Sequence, residues 1–343
     1  MKKYVLPSAD GQDTARGWEW LTALSPILLM MVVNYRWSAV WAVVTAAAGY
    51  LAVTVLWQWL KLMPLHVAPA LLCGVLVTCC LPASAPVWLS AMAGLLGGVV
   101  MVIPALVNRL AKKDLLSCPV YLSALAGFLV VRGLFADRFT AYSLPVMWAD
   151  TDVVASATPL ASLGQPVSQE AMSHLFWGFE AGSMGGGPVL AVLFAFVYLQ
   201  SRRRVSPLPA ATMVGTVALL SHLLWQQPLY GLFAGGTLLA AVLVGDEGFL
   251  HVGWKGRLVT GVVAGVVTVL CRLYWGVDGA AIGLLAAGVV TPILHVLYHL
   301  ACRYVPPVAR CVYAFLCRVV PPIWQKIVGF VRLLREKFAK TEN

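Results

Sequence analysis

Charge is what this sequence has least of. Only 11% of its 343 residues are charged, where water-soluble domains carry about 25%. So few charges cannot clothe a water-facing surface, which excludes an ordinary soluble globule. Acidic residues are scarcest, 14 against 24 basic ones. The resulting net charge of +10 does not indicate nucleic-acid binding. Much of the excess falls in the last forty residues and the rest in loops between apolar runs, a pattern suited to membrane orientation and anionic lipid. None of the eight cysteines forms a C-x-x-C pair, so they read as small buried hydrophobes. A nucleotide-binding P-loop, a G-x-S-x-G nucleophile elbow and a zinc-hydrolase pattern are also missing, as is any acid–base pair positioned for catalysis by the chain alone. What remains is apolar: 60% of residues are hydrophobic and the mean hydropathy is +0.84.

These residues fall into ten runs able to cross a bilayer, where about 20 apolar residues are needed. They lie near 19–35, 38–60, 65–82, 86–108, 116–136, 187–200, 208–225, 229–245, 256–275 and 279–302. The third and sixth are short, a feature of segments that line a site. The expected fold is an all-α polytopic membrane protein of about ten transmembrane helices. Residues 1–18 lack the form of a cleavable signal and read as a cytoplasmic tail. Residues 19–136 form a first five-helix half, 137–186 a long outer loop, 187–302 a second five-helix half, and 303–343 a basic amphipathic tail. No convincing sequence repeat links the halves. With the N-terminus inside, Lys61, Arg109, Lys112, Lys113, Arg202, Arg203, Arg204, Lys255 and Arg257 all fall on inner loops. That bias places both termini in the cytoplasm and the long loop outside. In the tail, Arg303-Tyr304-Val305-Pro306-Pro307-Val308 recurs as Arg318-Val319-Val320-Pro321-Pro322-Ile323, and its last segment reads as a helix on the inner membrane surface.

The outer loop carries Asp152-Val153-Val154-Ala155-Ser156-Ala157-Thr158-Pro159-Leu160. This run resembles the motif at which FMN is joined through its phosphate to a threonine. Pro159 disfavours helix at Thr158 and favours an extended backbone. Ala155, Ser156 and Ala157 leave the hydroxyl open, and Asp152 stands where it can orient a transferase or its metal. Trp148, Phe176, Trp177 and Phe179 supply rings suited to a flavin. Gly182-Ser183-Met184-Gly185-Gly186-Gly187-Pro188 opens the sixth span, and glycine-rich amides at a helix start suit a phosphate. The expected cofactor-binding set is therefore Thr158, Asp152, Ser156, Ala157, Gly182, Ser183 and Gly185.

On the S-A-T-P-L run at Ser156–Leu160, the G-S-x-G run at Gly182–Gly185 and the Gly256-Arg257…Thr260-Gly261…Gly265…Arg272 pattern, the chain resembles the D-type subunits of Rnf ion-translocating electron-transport complexes. More distantly it is similar to the B-type subunit of the sodium-pumping NADH:quinone reductase. The resemblance implies a ten-helix subunit of the bacterial inner membrane that relays electrons through FMN on Thr158. It further implies neighbouring subunits, a separate flavin transferase acting from FAD, and coupling to sodium or proton movement. Catalysis would belong to the assembled oxidoreductase rather than to this chain alone. Departures stand out. The family's acidic residue after G-S-x-G is Gly186 here, its T-D-P is Gly245-Asp246-Glu247, and its glycine-rich segment before the fifth span is Lys112–Pro119. With these changes a second, noncovalent flavin is in question. A permease with the loop as a lid, and a non-redox structural subunit, are the alternatives. His295 and His299 share a helical face and His222 offers a third imidazole, yet they read as polar packing groups rather than metal ligands. Asp246, Glu247, Arg257, Arg272 and Asp278 lie at or near span ends, as loop charges or, if inside the bundle, as groups on an ion path.

Overall fold

The computed structural model describes residues 12–60, 67–111, 119–139, 142–143, 155–156, 169–179, 182–233, 235–246, 254–275 and 279–290. Its contacts separate a unit of Met1–Thr291 from a second, Pro292–Asn343. The second unit, with the tail expected at 303–343, lies outside the described residues.

The chain is an all-α polytopic membrane protein. In order it forms α1 (Gln12–Tyr35), α2 (Trp37–Trp59), α3 (Val67–Cys80), α4 (Val87–Ala111) and α5 (Val120–Leu134). A 3-10 turn (Ala136–Phe139), β1 (Tyr142–Ser143), β2 (Ala155–Ser156) and α6 (Gln169–Trp177) follow. Then come α7 (Val189–Ser201), α8 (Pro207–Trp225), α9 (Pro228–Phe233), α10 (Thr237–Val244), α11 (Trp254–Trp275) and α12 (Ala280–Val290). Among the described residues, α2, α8 and α11 are each long and apolar enough to cross a membrane by length and composition, and α3, α4, α5, α7 and α12 contribute shorter apolar helices. Bulky residues such as Leu29, Leu56, Phe194 and Leu223 face outward, while Ala39, Ala46, Ala93, Ala195 and Ala264 are buried. Lipid is as apolar as leucine, so nothing drives large side chains inward and small ones set the helix contacts.

Two sequence expectations change. α1 begins at Gln12, inside the stretch expected to be a tail. The span expected at 229–245 is interrupted: α9 ends at Phe233 and α10 starts at Thr237, with Gly235 in between at φ 72°. Glycine reaches that left-handed backbone without strain, so the helix stops and restarts there.

The halves repeat one packing order. In the first, α4 packs on α2 and α5; in the second, α11 packs on α8 and α12. Glycines make each approach feasible. A Cβ on Gly94 of α4 would lie 2.7 Å from the Ala46 carbonyl carbon of α2. One on Gly283 of α12 would lie 2.5 Å from the Ala264 oxygen of α11. Backbones therefore touch along these seams, and α3 against α2 is matched by α9 and α10 against α8.

Candidate functional site

Of the expected attachment residues, Asp152, Ala157 and Thr158 lie outside the described residues. Ser156 is described, and it pairs across β1–β2 with Tyr142, while Ala155 pairs with Ser143. The backbone is thus extended and laddered just before the expected acceptor threonine.

Gly182, Ser183 and Gly185 belong to a loop folded against the end of α3. Ser183 forms an antiparallel bridge with Pro82. The Met184 amide donates to the Leu81 carbonyl at 2.9 Å and the Gly185 amide to the Cys79 carbonyl at 3.1 Å, while the Gly186 amide donates to the Ser183 carbonyl at 3.2 Å. Glycine is required at 185, because a Cβ there would come within 2.7 Å of the Cys79 Cα. Of the residues expected at the flavin, Gly185 thus has its amide bonded within the protein, as do its neighbours Met184 and Gly186. An α-helix leaves its last carbonyls without intrahelical partners, and here the loop satisfies them.

The loop's preceding segment is also held down. Phe176 of α6 meets Phe233 of α9 edge-on, with centroids 6.1 Å apart, and packs on Trp177 at 5.8 Å. Phe176 thus fastens α6 to the bundle, and Trp177 is the more exposed ring. Gly178, at φ 81°, offers its carbonyl to the buried Asn34 side chain of α1 at 3.4 Å.

Below this loop the interrupted helix is bound by a buried cation. Arg272 of α11 is 5% exposed. Its guanidinium donates to the Gly231 carbonyl at 2.5 Å and to Thr237 Oγ1 at 2.6 Å, one acceptor on each side of the break. From sequence, Arg272 is a charge near a span end; the Gly235-Gly236 pair inside an apolar run is the available sign of its role.

A second polar cluster gathers helix starts and turns at the opposite ends of these helices. Arg16 of α1 pairs with Asp246, just after α10, and the Tyr121 hydroxyl of α5 donates to the other Asp246 oxygen at 3.0 Å. One turn along α1, Glu19 pairs with Arg204, whose Nη2 donates at 3.0 Å. Val205 bridges to Asp246, and the Ser206 amide donates to the Gly245 carbonyl at 2.7 Å, so Arg204 and Asp246 are held side by side. A +/− pair on α1 therefore meets a −/+ pair on the second half. Arg257 joins through Ser206 Oγ at 3.3 Å.

Among the described residues no group of histidine, cysteine or acidic side chains gathers as a metal site, and Cys73, Cys79, Cys80 and Cys271 are not in disulfides. His222 is exposed. His295 and His299 lie outside the described residues, as do Glu247, Asp278 and the segment Lys112 to Cys118.

Comparison with known proteins adds the kinship of the chain. It is 31% identical over 150 residues to the D-type subunit of the Na(+)-translocating ferredoxin:NAD(+) oxidoreductase complex of Acetobacterium woodii, covering 42% of this chain and 47% of that one. It is 30% identical over 182 residues to the D-type subunit of the ion-translocating oxidoreductase complex of Mannheimia succiniciproducens, covering 48% and 50%. These two alignments span about half the length of each relative. A longer one, 23% identical over 303 residues, covers 81% of this chain and 87% of the D-type subunit of the proton-translocating ferredoxin:NAD(+) oxidoreductase complex of Clostridium ljungdahlii. The family described as NQR2, RnfD, RnfE matches residues 9–300. The chain belongs to the NQR2, RnfD, RnfE family.

Proposed function

We propose that this chain is the membrane electron-carrier subunit of an ion-translocating oxidoreductase complex of Rnf type, with FMN tied to Thr158. The family match across residues 9–300 carries the reading. Relatives bearing the names of complex subunits support it. In this reading the complex lies in the bacterial inner membrane, with both termini of the chain cytoplasmic and the Thr158 loop outside.

The residues present fit a covalent cofactor better than a dissociable one. The Thr158 hydroxyl is the phosphoester acceptor, and the laddered Ala155–Ser156 strand presents an extended peptide to a flavin transferase. The Gly185 amide, expected to help hold a phosphate, is bonded within the protein, which favours retention through the threonine. Bound there, FMN supplies electron carriage between a donor and an acceptor in partner subunits. The chain's own part is positional. Residues 155–158 present the acceptor, α6 and residues 183–186 fasten the loop to the bundle, and lipid surrounds the apolar helices.

A non-redox structural subunit is the second reading. The substitution of Gly186 for the family's acidic residue favours it, together with the replaced segment at Lys112–Pro119. The two separate in a denaturing gel. After co-expression with a flavin transferase, the wild-type band fluoresces and Thr158→Ala is dark. A dark wild-type band beside a labelled acceptor protein from the same cells rejects covalent FMN and leaves the structural reading.

A further inference from the structure

We infer that the turn between α7 and α8, with the exposed face of α7 that leads to it, is a docking site for an anionic phospholipid. The site does not depend on flavin at Thr158.

The turn holds its arginines outward on a locked backbone. The Arg202 amide donates to the Tyr198 carbonyl at 3.1 Å, the Arg203 amide to Gln200 at 2.9 Å and the Arg204 amide to Leu199 at 2.9 Å. The last two bonds are the helix ending whose left-handed position usually holds glycine. Here Arg203 takes that position, at φ 56°. Glycine would adopt it with less strain, so the folding of the turn does not explain a cation there. Arg202 is placed as well: its guanidinium carbon lies 5.7 Å from the centre of the Tyr198 ring. Both arginines are exposed.

Positive charge is in surplus at this end of the bundle. Arg204 pairs with Glu19, and Arg16 with Asp246. Glu19 is faced by Arg16 and Arg202 as well as by its partner. Among the described residues, Glu19 and Asp246 thus answer Arg16, Arg202, Arg203 and Arg204, and neither Arg202 nor Arg203 is in an ion pair. Arg257, bonded to Ser206, adds a further cation. An anion balances such a group, whereas a zwitterionic headgroup brings its own cation into it.

The apolar part of the site is continuous with the charge. α7 exposes Leu190, Leu193, Phe194 and Val197, whose spacing sets them on one face running to the turn. Leu190 to Ser201 covers about 16 Å of helix, close to half of the roughly 30 Å hydrocarbon core. Trp18, half exposed beside Glu19, marks this end as headgroup depth, where tryptophan concentrates. A phosphate on the arginines and an acyl chain along α7 therefore belong to one molecule. An acidic protein segment would meet the arginines and leave the apolar face unmet.

The test uses the full chain in detergent, stripped of lipid and titrated with phosphatidylglycerol or phosphatidylcholine under native mass spectrometry. Phosphatidylglycerol should bind about tenfold more tightly. Arg202→Gln with Arg203→Gln should weaken it about twentyfold and leave phosphatidylcholine unchanged. Arg36→Gln with Arg138→Gln removes the same charge beyond the opposite ends of α1 and α5, and should leave both affinities alone. Arg203→Gly secures the test against misfolding, because it relieves the left-handed backbone. It should melt no lower than wild type when stripped of lipid, yet bind phosphatidylglycerol about fivefold more weakly. Equal binding of the two lipids overturns the site. So does wild-type affinity in Arg203→Gly or in the paired Arg202 and Arg203 variant. An equal loss in the Arg36 and Arg138 control also overturns it, since net charge alone would then explain the binding.

Discussion

Asp246 should be a costly charge to remove from this protein. Its side chain is 1% exposed and serves two partners, Arg16 and the Tyr121 hydroxyl. Breaking a buried pair by deleting one partner costs about 3–5 kcal/mol. Arg16 is 26% exposed and regains some water once abandoned, so about 2–3 kcal/mol is expected for Asp246→Ala. The neighbouring pair provides an internal standard. Arg204 and Glu19 are 39% and 29% exposed, and a pair so open is worth less than about 1 kcal/mol. In detergent at a fixed scan rate, since unfolding of such proteins is commonly irreversible, Asp246→Ala should lower the apparent Tm by roughly 5 °C, at about 2 °C per kcal/mol. Glu19→Ala should lower it by roughly 1 °C on the same scale. A cycle through Arg16→Ala and the double variant isolates the pair. The reasoning fails if Asp246→Ala is no worse than Glu19→Ala, or if the cycle shows coupling below about 0.5 kcal/mol.

Other outcomes follow from the same geometry. Arg272→Leu strands the Gly231 carbonyl and the Thr237 hydroxyl, and should cost about 2–4 kcal/mol, while Arg272→Lys recovers part of it; thermal scans of purified protein decide this. Ser221 is fully buried and its hydroxyl has no bonded partner among the described residues, so Ser221→Ala should be neutral or stabilising by up to about 1 kcal/mol; a clear loss would contradict this. Gly94→Ala should cost about 1–3 kcal/mol, because the methyl meets the α2 backbone rather than a movable side chain; an unchanged melting curve would contradict the seam.

Much of the fold is legible because membrane helices announce themselves as apolar runs. α2, α8 and α11 begin and end within about two residues of the expected spans. The α9–α10 break is not, since Gly235-Gly236 within an apolar run is equally compatible with an unbroken close-packed helix. The start of α1 escapes a hydropathy reading for a related reason. Polarity at Gln12 to Arg16 marks departure from lipid and says nothing about the end of the helix. At the site, the internal bonding of the Met184 and Gly185 amides has a tertiary cause. Glycine amides bind an anion only if nothing else takes them, and their takers, Cys79 and Leu81, lie about a hundred residues earlier. The pairing of Arg16 with Asp246 is hidden likewise, since nothing local couples residues so far apart in the chain.

The order in which contacts close has a consequence for how the protein is made. The seams joining α2, α4 and α5 need nothing beyond residue 134, so they can close before the outer loop is made, whereas the end of α3 waits for residues 184 and 185. The second half closes its own seams in turn. The charge pair between Arg16 and Asp246, 230 residues apart, needs the chain only just past the end of α10, before α11 and α12 are made. With the Glu19–Arg204 pair it joins the start of α1 to the turns of the second half. The few charges in this sequence thus serve as clasps between stretches of chain made far apart in time.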